Sequence, residues 1–81
     1  MATIPYDVAD AFIEGRQARR GAFWSTGNSV LSYNLKLAQQ TPEGPQWSID
    51  PEVARRYSTT TSRHVRALLA RLPYNEEDNG G

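Results

Sequence analysis

Apolar and polar positions alternate most strictly from Ser29 to Ala38. Leu31, Tyr33, Leu35 and Leu37 share one parity there, and Ser32, Asn34 and Lys36 the other. A period of two is that of a half-buried strand, because successive side chains leave opposite faces. Residues 29–38 therefore predict one long β-strand. Just before it, Ala22-Phe23-Trp24-Ser25 is short and aromatic and runs into Gly27-Asn28. That spacing predicts a hairpin pairing the aromatic segment with the long strand. A third strand, Gln46 to Ile49, follows Pro42-Glu43-Gly44-Pro45, whose prolines and glycine mark a connecting turn.

Towards both ends the period changes to that of a helix. Val65, Leu68, Leu69 and Leu72 fall at i, i+3, i+4 and i+7, and Pro73 stops the pattern, predicting a C-terminal amphipathic helix. Asp50-Pro51-Glu52 has the form of a helix start, with a capping side chain, proline in the first turn and an acid on the dipole. About two turns are expected over Pro51 to Tyr57. At the N-terminus Thr3 suits a cap, Pro5 the first turn and Asp7 the dipole, and Val8, Ala11 and Phe12 recur at helical spacing up to Gly15. Residues 16–22 leave two readings open, an extension of this helix or a basic loop ending near Gly21.

Together these elements predict an α+β domain over residues 1–74. It comprises a short N-terminal helix, a small three-stranded antiparallel sheet and the packed C-terminal helix. The expected core sets Val65, Leu68, Leu69 and Leu72 against Leu31, Tyr33, Leu35, Trp47 and Ile49. Residues 75–81 are acidic and glycine-rich and read as a disordered tail.

Length and composition limit what such a domain does. Eighty-one residues supply one core, with a stability of about 3 to 5 kcal/mol expected for a domain of this size. Self-association as a homodimer would add to it. With no cysteine, disulfides, thiolate metal sites and thiol nucleophiles are excluded, and a cytoplasmic setting is the default expectation. The first twelve residues lack a basic segment followed by an apolar one, so neither a secretion signal nor a membrane span is expected.

Formal net charge is zero, but the charges are unevenly placed. All nine bases, eight of them arginine, lie between positions 15 and 72 (Arg16, Arg19, Arg20, Lys36, Arg55, Arg56, Arg63, Arg66 and Arg71). The only acids there are Glu43, Asp50 and Glu52, which leaves the segment at +6. Arginine suits forked contacts with phosphate or carboxylate. An ordinary solvated surface is the competing account of the same charges.

The run Tyr57 to His64 stands out because five hydroxyl residues, Ser58 to Ser62, lead into a helix whose first turn is expected to carry Arg63 and His64. A helix N-terminus already bears partial positive charge, so added cations there favour an anion. Thr60, Thr61, Ser62, Arg63 and His64, with Arg66, Arg55, Arg56, Arg19 and Arg20, form the candidate anion- or nucleic-acid-binding set. Capping accounts for the run equally, since a cap requires only one of these residues. No metal ligand set and no cofactor are expected. His64 is the lone histidine, and neither a hydrolase triad nor a metal-holding carboxylate cluster has support in the spacing, so the expectation is a binder and not an enzyme.

Two resemblances attach to these residues. Residues 51–72 resemble a helix-turn-helix, with Ala54 in the first helix and a polar turn before the second. That likeness implies Thr60, Ser62, Arg63 and Arg66 facing DNA. Ser58 stands where that family usually has glycine, and Thr61 where it has an inward aliphatic residue. The second likeness spans more of the chain: Phe12 with Gly15, Asn28, Leu31-Ser32-Tyr33, Leu37-Ala38 and the Y-S-x-T-T-S-x-H pattern of residues 57–64. It resembles a small domain of unknown function found in bacteriophage and related proteins. That likeness implies a phage or prophage origin and one sheet-and-helix unit, and it assigns no catalytic residue. The expectation is a phage-type accessory protein that binds nucleic acid. The rival is a protein-binding inhibitor of a host defence system, such as an anti-CRISPR, and a virion structural role is third.

Overall fold

A computed structural model describes residues 6–74 of the chain. The molecule is α+β, but its sheet has five strands where the sequence predicts three. In chain order the elements are α1 (Tyr6–Ile13), β1 (Gln17–Arg20), β2 (Phe23–Thr26), β3 (Ser29–Ser32), β4 (Leu35–Thr41), β5 (Gly44–Trp47), α2 (Pro51–Ala54) and α3 (Thr59–Arg71). The strands form an antiparallel meander in the order β1-β2-β3-β4-β5. The expected cap Thr3, the expected Pro5 and the expected tail at 75–81 lie outside the described residues.

Two corrections account for the extra strands. The basic stretch after α1, read as helix or loop, is the edge strand β1, pairing Gln17 with Thr26 and Arg20 with Phe23. The predicted long strand over 29–38 is two strands folded back at Tyr33-Asn34, with Ser32 opposite Leu35. The first residue of this turn, Tyr33, has φ +58°, a conformation that turns usually assign to glycine and that a bulky side chain rarely adopts. Tertiary bonds hold it there. The Tyr33 amide donates to Ala22 O at 2.7 Å, and the Trp24 indole Nε1 donates to Tyr33 O at 3.2 Å.

Folding the strand at Tyr33 also reverses which residues face inward. Val30 and Ser32 of β3 are buried, while Leu31 lies on the opposite face and Tyr33 is 53% exposed. Across the hairpin Val30 pairs with Ala38 and Leu31 with Lys36, so Leu37 is the extra residue of a bulge. That bulge lets Leu37 and Ala38 both be buried.

Helices α1 and α3 cover one face of the sheet. Its core contains Val8 and Phe12 from α1, Phe23, Val30 and Leu37 from the sheet, and Val65, Ala67 and Leu68 from α3. Of the predicted core, Val65 and Leu68 are fully buried, whereas Leu35, Trp47, Ile49, Leu69 and Leu72 pack around the edge. The opposite face carries a row from Arg19 through Trp24 and Leu31 to Lys36, one residue from each of β1 to β4.

Turns and caps fasten the two layers. Gly27 sits at φ +95°, where a Cβ would lie 3.0 Å from Gly15 O, so the β2–β3 turn rests directly on the end of α1. Ser25 Oγ bridges the same corner, accepting from Gly27 N and donating to Arg16 O at 2.8 Å. Asp50 caps α2 as expected, although α2 is one turn and not two. The Trp47 indole donates to Leu72 O at 2.7 Å and ties the end of α3 to the edge strand β5.

Candidate functional site

Helix α3 starts about one turn earlier than a hydroxyl run preceding it would require. Ser58 is the N-cap, its Oγ accepting from Thr61 N at 3.0 Å, and Thr59 to Ser62 are already helical. Arg63 therefore lies in the second turn, beyond the reach of the first-turn dipole argument. Expecting it in the first turn was incorrect, because Ser58 and not a later hydroxyl is the cap.

Helical periodicity then divides the run between two faces. Thr61 and His64 point inward, 2% and 6% exposed, and join the stripe that continues through Val65 and Leu68. Ser32 Oγ lies 2.7 Å from His64 Nδ1 and 3.1 Å from Thr61 Oγ1, and Ser58 Oγ donates to Thr61 Oγ1 at 3.1 Å. Ser32 thus bridges Thr61 Oγ1 and His64 Nδ1, and the hydroxyl and ring hydrogens are shared within this set. The Phe23 ring stacks on His64 with centroids 4.5 Å apart and planes 8° from parallel. Burial, and secondarily the nearby Arg63 charge, pushes the His64 pKa below its usual value, so the ring is held neutral.

This network contains a serine against a histidine, but it is built for position. Ser32 is 1% exposed and shared with Thr61, and no carboxylate among the described residues bonds His64. Nor do any three His, Asp or Glu side chains among the described residues stand together to hold a metal.

The outward half of the run is different. Arg63 and Arg66 are exposed one turn apart on α3, Thr59 is exposed at its start, and Thr60 and Ser62 are half-buried. Arg56 is exposed in the segment leading into the helix. Within the segment resembling a helix-turn-helix, α2 is a single turn and the inward face of α3 is committed to the sheet.

The remaining basic candidates do not join this surface. Arg20 is held by a forked bond to Asp7, with its shortest contact 2.7 Å, and this guanidinium keeps the Asp7 carboxyl below its usual pKa. Arg71 pairs with Asp10 and lies over the Tyr6 ring. Arg55 pairs with Glu52 at 3.0 Å, Arg16 with Glu14 at 2.7 Å, and Arg19 stacks over Trp24 on the open sheet face. The +6 segment is thus partly neutralised in space by acids from α1. Among the described residues, Arg56, Arg63 and Arg66 have no acidic partner.

A neutral cleft adjoins the buried network. Ser32, Thr61 and Leu35 line it together with Tyr33, Asn34, Tyr57 and Ser58. Reading the sequence missed Ser32, Tyr33, Asn34 and Tyr57 as site residues. Of these, Ser32 and Tyr33 left a trace in the Leu31-Ser32-Tyr33 motif and Tyr57 at the head of the 57–64 pattern, whereas Asn34 left none. Comparison of the chain with models of known protein families, with curated proteins and with solved structures found no match.

Proposed function

We propose that this is a small phage-type accessory protein that binds nucleic acid through Arg56, Arg63 and Arg66 beside the start of α3. The observation that carries the reading is their freedom. Acids of α1 neutralise Arg20 and Arg71, while these three guanidinium groups face solvent without an acidic partner among the described residues. Forked, permanently charged groups suit phosphate oxygens. Free N–H groups at the start of α3, where no acid occupies the first turn, add to the same field.

Titration of a labelled single-stranded oligonucleotide at several salt concentrations tests this. Counterion release of about 0.7 per phosphate contact on a single strand gives a log–log slope of about −2 for three contacts. Arg63→Glu lowers the affinity and flattens the slope. A slope of zero in the wild type rejects the reading.

A second reading is inhibition of a host defence protein. It is favoured by the open sheet face, where Trp24 and Leu31 lie between Arg19 and Lys36. Co-purification from host lysate separates the two. A protein partner that survives nuclease treatment favours inhibition, and loss of all partners on nuclease treatment favours nucleic acid.

A further inference from the structure

The cleft beside the buried network has a use that the arginines alone do not explain. Among the large apolar and aromatic side chains exposed on the described surface, Tyr57 at 60% and Tyr33 at 53% are the two most exposed, and both line this cleft. Neither ring is needed for the core. Tyr33 is held at φ +58° by the Ala22 carbonyl and the Trp24 indole, so the fold maintains an unfavourable backbone conformation while leaving the ring in solvent. Strain retained at a residue that contributes little to packing marks a functional position.

The lining also restricts the ligand. No charged side chain lines the cleft, which offers two phenol rings, the Leu35 side chain and the Asn34 amide, the Ser58 hydroxyl being committed to Thr61. Asn34 is exposed, and its amide makes no hydrogen bond among the described residues. Ser32 and Thr61 are already engaged with each other and with His64, so they fix the floor. Such a lining fits an uncharged planar group that has a hydrogen-bonding edge. Cations stand close along the chain, Arg56 next to Tyr57 and Arg63 one helical turn beyond Thr59.

The geometry points to a site for one unpaired nucleobase, stacked against Tyr33 or Tyr57 and read at its edge by Asn34, while the arginines hold the flanking phosphates. This rests on the nucleic-acid reading above and makes the ligand single-stranded. A base inside a duplex has no free face to offer the rings.

The test compares two labelled oligonucleotides with the same number of phosphates, one carrying bases and one abasic. Aromatic stacking of one base predicts that wild-type protein binds the base-bearing strand roughly 5- to 150-fold more tightly. The double variant Tyr33→Gly/Tyr57→Ala removes that preference without changing the salt slope. Tyr33→Gly also relieves the positive φ, so a loss of binding there is not a loss of folding. Equal affinity for both strands, with the salt slope retained, overturns the base site and leaves the arginine surface standing. Binding of neither strand overturns both. A measurement on the unaltered protein, the NMR shift of the Asn34 side-chain amide, stands apart from the variants. A shift with uridine monophosphate but not with ribose 5-phosphate supports the site, and a shift with both or with neither rejects it.

Discussion

The inward and outward sides of the Tyr57–His64 run each combine hydroxyls with a basic side chain, yet they live under different physical rules. On the inner side, hydroxyls and an imidazole are withdrawn from water and must satisfy one another, so Ser58, Thr61, Ser32 and His64 form one connected set. On the outer side, Thr59, Arg63 and Arg66 meet solvent and owe the fold little. A contiguous motif is therefore not a contiguous site. Within each turn the helix sends one face of it to the core and the other to the surface, and only the second group is available to a partner.

The contrast predicts the largest stability effects on the inner side. Ser32→Ala leaves His64 Nδ1 without a partner and Thr61 Oγ1 bonded only to Ser58, and lowers unfolding free energy by about 1 to 3 kcal/mol in urea titration. Adding His64→Phe, which keeps the stack on Phe23, removes one orphaned polar atom. The double variant is therefore less destabilised than the two single losses summed, and strict additivity would show that the network is not coupled. Ser58→Ala removes a cap, at a cost of about 1 kcal/mol, and also removes one donor to Thr61.

Acidity probes the same side more gently. The folded state disfavours protonated His64, so the unfolded chain binds the proton first. The stability due to the neutral ring is present above the ordinary histidine pKa of about 6.5 and is lost as pH falls below it. Urea midpoints measured at pH 7.5 and 5.5 show this decline, and His64→Gln removes it. A decline that persists in the variant assigns it to another group. Asp7, whose carboxyl is lowered by Arg20, stabilises the fold throughout this range and loses that contribution only at more acidic pH.

The smallest stability change belongs to the outer side. Arg63→Glu alters unfolding free energy by less than about 0.5 kcal/mol, as expected of an exposed side chain away from cap and core. Its effect falls on binding. A large destabilisation by this substitution would show that the two sides are not independent.

Much of the architecture was legible in the chain. The Asp50-Pro51-Glu52 start, the Gly27-Asn28 hairpin and the amphipathic stripe at Val65 and Leu68 each rest on local rules of capping, turn chemistry and period. For the site, exposure of Arg63 and Arg66 was readable, but the partners of the hydroxyls were not. Ser32 meets Thr61 and His64 across 29 and 32 residues of chain, a separation that no local pattern encodes.

The sequence by itself determined the class of the domain, the Asp50 cap of α2 and the apolar stripe of α3, because these follow from interactions between residues a few positions apart. Only the tertiary structure decided where the strands ended and which charges stayed free. Tyr33-Asn34 continues the alternation and carries no glycine, yet it turns, because Ala22 and Trp24 supply hydrogen bonds that stabilise a backbone conformation tyrosine alone would avoid. Likewise, the acids of α1 are remote in sequence from Arg20 and Arg71 and become their partners only once the helix packs on the sheet.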